Sequence, residues 1–164
     1  GSALLQIEHE RKEGTPPPCN LAREKTLHDA LLGLIETGVV KSAHDCAEGG
    51  LAVALAECAI SELTARQTPR LTGAEIDLSE FDCERLDALL YGEAHGRVII
   101  TTCEAEAGAA VDRAKLLGVP ATRIGSVTGG DTLDFKAGDN SLSWKLSDLH
   151  DVWWNTIARV MDKK

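Results

Sequence analysis

No CxxC pair, no basic stripe and no apolar run as long as a membrane span occurs in this chain. Each absence narrows the function. A membrane-crossing helix needs roughly 18 or more apolar residues in succession, so a helical span is not expected. The cysteines Cys19, Cys46, Cys58, Cys83 and Cys103 stand far apart, which argues against a zinc ribbon or a thioredoxin-like site. Odd in number and dispersed, they suit free, buried or half-buried thiols in a reducing, cytoplasmic compartment. Lys and Arg total 17 against 26 Asp and Glu, a formal net charge of −9. Neither nucleic acid nor an anionic membrane is an expected partner of such a chain. The opening "GSALLQIEHE" lacks the basic and apolar regions of a secretory signal. No P-loop, dinucleotide fingerprint, metal-ligand spacing or nucleophile with an evident base appears. No catalytic residue and no metal ligand is therefore assigned.

What remains is a 164-residue sequence, 43% apolar, long enough for a domain with a real core. Residues 1–19, ending in "EGTPPPC", read as an extended N-terminal linker, because three prolines disfavour helix and inner strand. The domain then runs over 20–164. Asn20 is placed to cap a helix whose apolar face carries Leu27, Leu31, Leu34 and Ile35, with Gly38 just past its end. "VVKSAHD" reads as a brief strand. "GLAVALAECAISEL" is apolar on most sides and reads as a buried helix. "TPRLTGAEIDLS" reads as a turn and strand, "CERLDALLYGEA" as a helix, and "GRVIITT" as an inner strand. "EAEAGAAVDRAKLLG" is a helix closed by Gly118 and Pro120. "ATRIGSVTGGD" reads as a strand entering a turn, and "TLDFKAGDNSLSWKL" as a hairpin turning at "AGDN". "SDLHDVWWNTIARVMDKK" is a C-terminal helix with Ser147 as cap, acids Asp148 and Asp151 near its start, and Lys163 and Lys164 at its end. Trp153 and Trp154 are adjacent and cannot share one helical face, so one is expected on the sheet and the other on an edge or a neighbouring domain. Irregular alternation of strands and helices predicts an α+β fold, a mixed β-sheet of about four main strands with packed helices.

Three loops are candidates for chemistry. In "SAHDCAEGGLAVALAE", His44 and Asp45 precede Glu48, Gly49 and Gly50, where a helix begins. A helix start offers free N–H groups to a phosphate or carboxylate, and Glu48 is an internal occupant that would make it a structural turn. In "YGEAHGRV", Gly92 and Gly96 bracket Glu93 and His95, which reads either as a ligand loop or as a solvated turn with Arg97 paired to an acid. "GSVTGGD" has the composition of an anion-binding nest and equally of a plain hairpin turn.

The same three loops, in the same order, resemble segments of one family. "SAHDCAEGGLAVALAE", "LLYGEAHGRVIIT" and "RIGSVTGGDTL" are similar to three segments of the phosphoribosylformylglycinamidine synthases, whose large subunit belongs to the aminoimidazole ribonucleotide (AIR) synthetase superfamily. The resemblance covers nearly the whole chain and is most specific in the first segment. It implies an AIR-synthetase-like C-terminal domain, the last of two in the subunit. The implied reaction converts formylglycinamide ribonucleotide to the amidine, with ATP, Mg²⁺ and glutamine-derived ammonia. ATP and Mg²⁺ would serve the whole enzyme, with neither held tightly by this segment. Implied partners are the remaining domains of the synthetase subunit, a glutaminase subunit and a small accessory subunit. His44, Asp45, Glu48, Gly49, Gly50, Gly92 and Glu93 become ligand or interface loop candidates facing an auxiliary nucleotide side. The family carries Ser where this chain has Ala47, so a hydroxyl contact is lost there. A non-catalytic scaffold module of the same fold, or a domain of another superfamily enzyme, are the alternatives.

Overall fold

The computed structural model describes residues 2–60, 71–81 and 84–162. The chain folds as two compact units, one of residues 1–54 and 87–123 and the other of 55–86 and 124–164.

The first unit begins with α1 (Ala3–His9), a short helix where an extended linker was expected. The prolines at 16–18 act only on their own neighbours, and residues 10–20 are indeed non-helical. Ser2 caps α1 by accepting from the Leu5 N–H. Helix α2 (Leu21–Glu36) starts at Asn20, whose Oδ1 accepts from the N–H groups of Ala22 and Arg23. It ends at Gly38, left-handed at φ 73°, with the Val39 N–H donating to the Leu34 carbonyl, as a glycine-closed helix end requires. Its core face buries Ala30 and Leu34, and α2 packs on α5 (Ala107–Leu116), which buries Ala110 and Ala114. Strand β1 (Val40–Asp45) pairs antiparallel with β3 (Val98–Thr102) in a two-stranded sheet. β3 is half-buried along its length and has one strand partner among the described residues, where its apolar run predicts an inner strand. Short helix α4 is Leu86–Tyr91.

Helix α3 (Gly50–Ile60) passes from the first unit into the second. Leu51, Ala54, Leu55, Ala59 and Ile60 are buried, whereas Val53 is 37% exposed, so one flank of this apolar helix faces outward.

The second unit holds a four-stranded mixed sheet in the order β4-β2-β5-β6. β2 (Gly73–Asp77) lies antiparallel to β4 (Gly125–Thr128) and parallel to β5 (Thr132–Ala137). β5 and β6 (Asn140–Lys145) form the expected hairpin, closed by Gly138 at φ 58° and Asp139. The "TGGD" turn is not a hairpin: β4 and β5 flank β2, so the turn crosses the end of β2. Gly73 lies at that crossing, where a Cβ would come within 2.7 Å of the Gly130 carbonyl oxygen. Alternation drives Ile76, Leu133 and Phe135 into the core, and Phe135 meets Trp144 edge-on at 5.5 Å.

Helix α6 (Leu146–Met161) starts one residue before the cap expected at Ser147. Lys145 occupies the cap position without a side-chain bond, while the Ser147 hydroxyl donates to Asp148. Asp151 accepts from Asn155 and Arg159. Lys163 and Lys164 lie outside the described residues. Trp153 and Trp154 are 44% and 41% exposed, and both lie against the His150 ring.

Candidate functional site

The centre of interest is the entry to α3. Gly49 and Gly50 are both left-handed, at φ 80° and 68°, and both are buried. Two successive residues in that region turn the chain out of β1 and into the helix, at little steric cost for glycine. Gly50 also needs to lack a side chain. A Cβ there would stand 2.8 Å from the Gly92 carbonyl oxygen and 2.8 Å from the Tyr91 carbonyl carbon. Two of the candidate loops are thus pressed backbone to backbone.

Glu93 fastens them. Its Oε1 accepts from the Gly49 N–H at 2.9 Å and from the Ala3 N–H at 2.8 Å. A carboxylate does reach the helix entry, then, but it comes from a loop 44 residues away rather than from Glu48, which is exposed. The Glu93 loop is itself braced. Arg97 donates from Nη1 to the Gly92 carbonyl at 2.9 Å and from Nη2 to the Leu89 carbonyl at 3.1 Å. These are carbonyls freed at the end of α4. Arg97 therefore caps a helix with its guanidinium, and the acid expected beside it is replaced by carbonyl oxygens. The Cys46 N–H closes the arrangement by donating to the Arg97 carbonyl at 2.9 Å.

His44 and Asp45 lie at the end of β1. The His44 ring is 31% exposed and its Nδ1 lies 2.8 Å from the Asp45 carbonyl oxygen. The Asp45 carboxylate, 77% exposed, is 3.9 Å from that nitrogen. The pair is a neighbour contact on the strand and lacks the short side-chain bond of a catalytic dyad. His95 is exposed.

Four features of this site carry no motif in the sequence: the Ala3 amide, the Arg97 cap, the seat of Gly50 and buried Cys46. Burial pushes the Cys46 thiol above its ordinary pKa, while the Arg97 charge draws it back. Cys19, Cys58 and Cys103 are exposed rather than buried, and Cys83 lies outside the described residues.

Among the described residues no group of three or more His, Cys, Asp or Glu could hold a metal ion. The Gly49 N–H, which a phosphate would need, is already taken by Glu93. At this helix entry the described residues therefore do not fit a Mg²⁺–nucleotide site. No helix among the described residues is long and apolar enough to cross a membrane.

The family model for the C-terminal domain of AIR synthase related proteins matches residues 1–138, most of the chain and all of the candidate loops. The chain belongs to that family. It is 37% identical over 163 residues to phosphoribosylformylglycinamidine synthase subunit PurL of Anaeromyxobacter dehalogenans, covering 98% of this chain and 21% of that one. It is 38% identical over 163 residues to the Deinococcus radiodurans subunit, covering 98% of this chain and 20% of that one. This AIR synthase related domain thus spans about a fifth of the length of the curated relatives it matches. Its fold is shared by phosphoribosylformylglycinamidine synthase II of Thermotoga maritima, with a TM-score of 0.67, 19% identity, and coverage of 82% of this chain and 22% of that one. The T. maritima PurL complexed with ATP matches with a TM-score of 0.63 at 20% identity, over 77% of this chain and 21% of that one.

Proposed function

We propose that this chain works as one domain of an ATP-dependent phosphoribosylformylglycinamidine synthase in the cytoplasm. The observation that carries the reading is 37% identity to such a subunit along 98% of the chain. In the complete enzyme ATP would activate the amide oxygen of formylglycinamide ribonucleotide. Ammonia would then displace phosphate, leaving the amidine, ADP and inorganic phosphate. ATP and Mg²⁺ would bind on other domains, in keeping with a helix entry here that is filled by Glu93. The part of this domain is to present the loops of His44, Asp45, Glu48, Gly49, Gly50, Gly92 and Glu93 as an interface toward the neighbouring ATP-binding domain. The glutaminase and small accessory subunits would be partners of the whole, and a T. maritima relative is described as a PurLQS assembly.

The test is a reconstitution. A synthase subunit lacking this segment is assayed for ammonia-dependent ADP release with formylglycinamide ribonucleotide, with and without this chain added. Neither part alone should turn over, and the mixture should. Turnover by the chain alone, or none in a mixture shown to associate, would refute the reading. The second outcome would favour a scaffold module that kept the fold without the chemistry, which the internally filled helix entry also fits.

A further inference from the structure

We propose that Glu93 is a positioning residue that couples the docking of α1 to the geometry of the α3 entry. One carboxylate oxygen accepts two backbone N–H groups, from Ala3 at 2.8 Å and Gly49 at 2.9 Å. Those donors open α1 and lead into α3, so a single anion neutralises two helix starts that would otherwise leave their N–H groups without partners.

Three observations give the bond its weight. α1 buries none of its seven residues, so half-buried contacts and this bond are what hold it. The carboxylate is presented from a stiff base, because Arg97 grips the carbonyls of Leu89 and Gly92. The receiving loop is equally constrained, since Gly50 lies against the Leu90–Gly92 backbone without room for a Cβ. A displacement of Glu93 therefore cannot be absorbed by either side alone. An anion arriving at the α3 entry would have to displace Glu93, and in doing so would release α1. By thermodynamic reciprocity, undocking α1 must loosen the α3 entry. The inference does not depend on the ligase reading, because its readouts are amide signals of this chain.

The test is amide NMR on the chain. Glu93→Ala should shift the Ala3 and Gly49 amide signals together and speed hydrogen exchange at both. Glu93→Gln, which keeps an acceptor oxygen without the charge, should move the same two amides by less, while the Ala22 amide, which Asn20 caps, stays unmoved in both variants. Ala3→Pro removes only the donor, because proline is tolerated at the first helical position and Ser2 already has the extended backbone that precedes proline. Losing one charge-assisted bond should speed hydrogen exchange at Gly49 roughly tenfold. A response at one amide without the other, no response at either, or unchanged Gly49 exchange in Ala3→Pro would overturn the proposal. Ala3→Pro and the Glu93 variants alter different segments, so the failure of one to fold leaves the other as the test.

Discussion

Gly50 and Gly92 meet backbone to backbone: a Cβ on Gly50 would lie 2.8 Å from the Gly92 carbonyl oxygen. Gly50 is also left-handed, at φ 68°. Gly50→Ala thus combines backbone strain with a clash against main chain that cannot rotate away, and should cost about 2–4 kcal/mol. Gly138→Ala is the control, since Gly138 has φ 58° but open space around it. It should cost only about 1 kcal/mol. Urea midpoints of the two variants check the difference; equal losses would mean that the close approach to Gly92 contributes nothing.

Arg97 holds two carbonyls with one planar fork. Arg97→Lys keeps the charge but cannot span both acceptors, and should lose about 1–2 kcal/mol. The loss should appear as faster amide exchange along Gly92 and Glu93, with exchange in α2 unchanged.

Cys46 should be the slowest of the described thiols to react with a disulfide reagent at pH 8. It is 7% exposed, and burial raises its pKa, so less thiolate is present. Cys19, Cys58 and Cys103 are exposed and should label first. Mass spectrometry of partially labelled chain reads the order. Early labelling of Cys46 in folded protein would contradict the packing of the α3 entry.

Asp134 accepts hydrogen bonds from the hydroxyls of Ser143 and Thr132, which hold its carboxyl below the ordinary value. A depressed folded pKa means the unfolded chain takes up the proton first as acid is added. The contribution is fully present above the unfolded carboxyl's pKa, about 3.9, and is lost as pH falls through the folded value. Ser143→Ala removes the larger cause, so the Asp134 carboxyl should titrate at a higher pH and the acid limb of the stability profile should flatten. Carbon NMR of the Asp134 carboxyl follows this directly.

The sequence alone determined the local features. Asn20 and Gly38 bracket α2 because a capping side chain and a left-handed glycine act within a few residues of themselves. Gly49-Gly50 announced a sharp entry to α3, and the β5–β6 hairpin followed from a Gly-Asp turn between alternating strands. The resemblance of three loops pointed to the family that the domain match then established. Only the tertiary structure decided the rest. The "TGGD" turn reads as a hairpin until β2 is known to lie between β4 and β5. Glu48 is the local candidate to fill the helix entry if no ligand does, yet the Gly49 N–H donates to the distant Glu93. An acid beside Arg97 is one of two readings of its loop, whereas the folded chain turns its guanidinium onto the carbonyls at the end of α4. Each of these depends on which distant backbone groups are left without partners once the chain has folded. Turn and cap signals act over a few residues, whereas a free N–H is satisfied by whatever acceptor the completed packing brings to it.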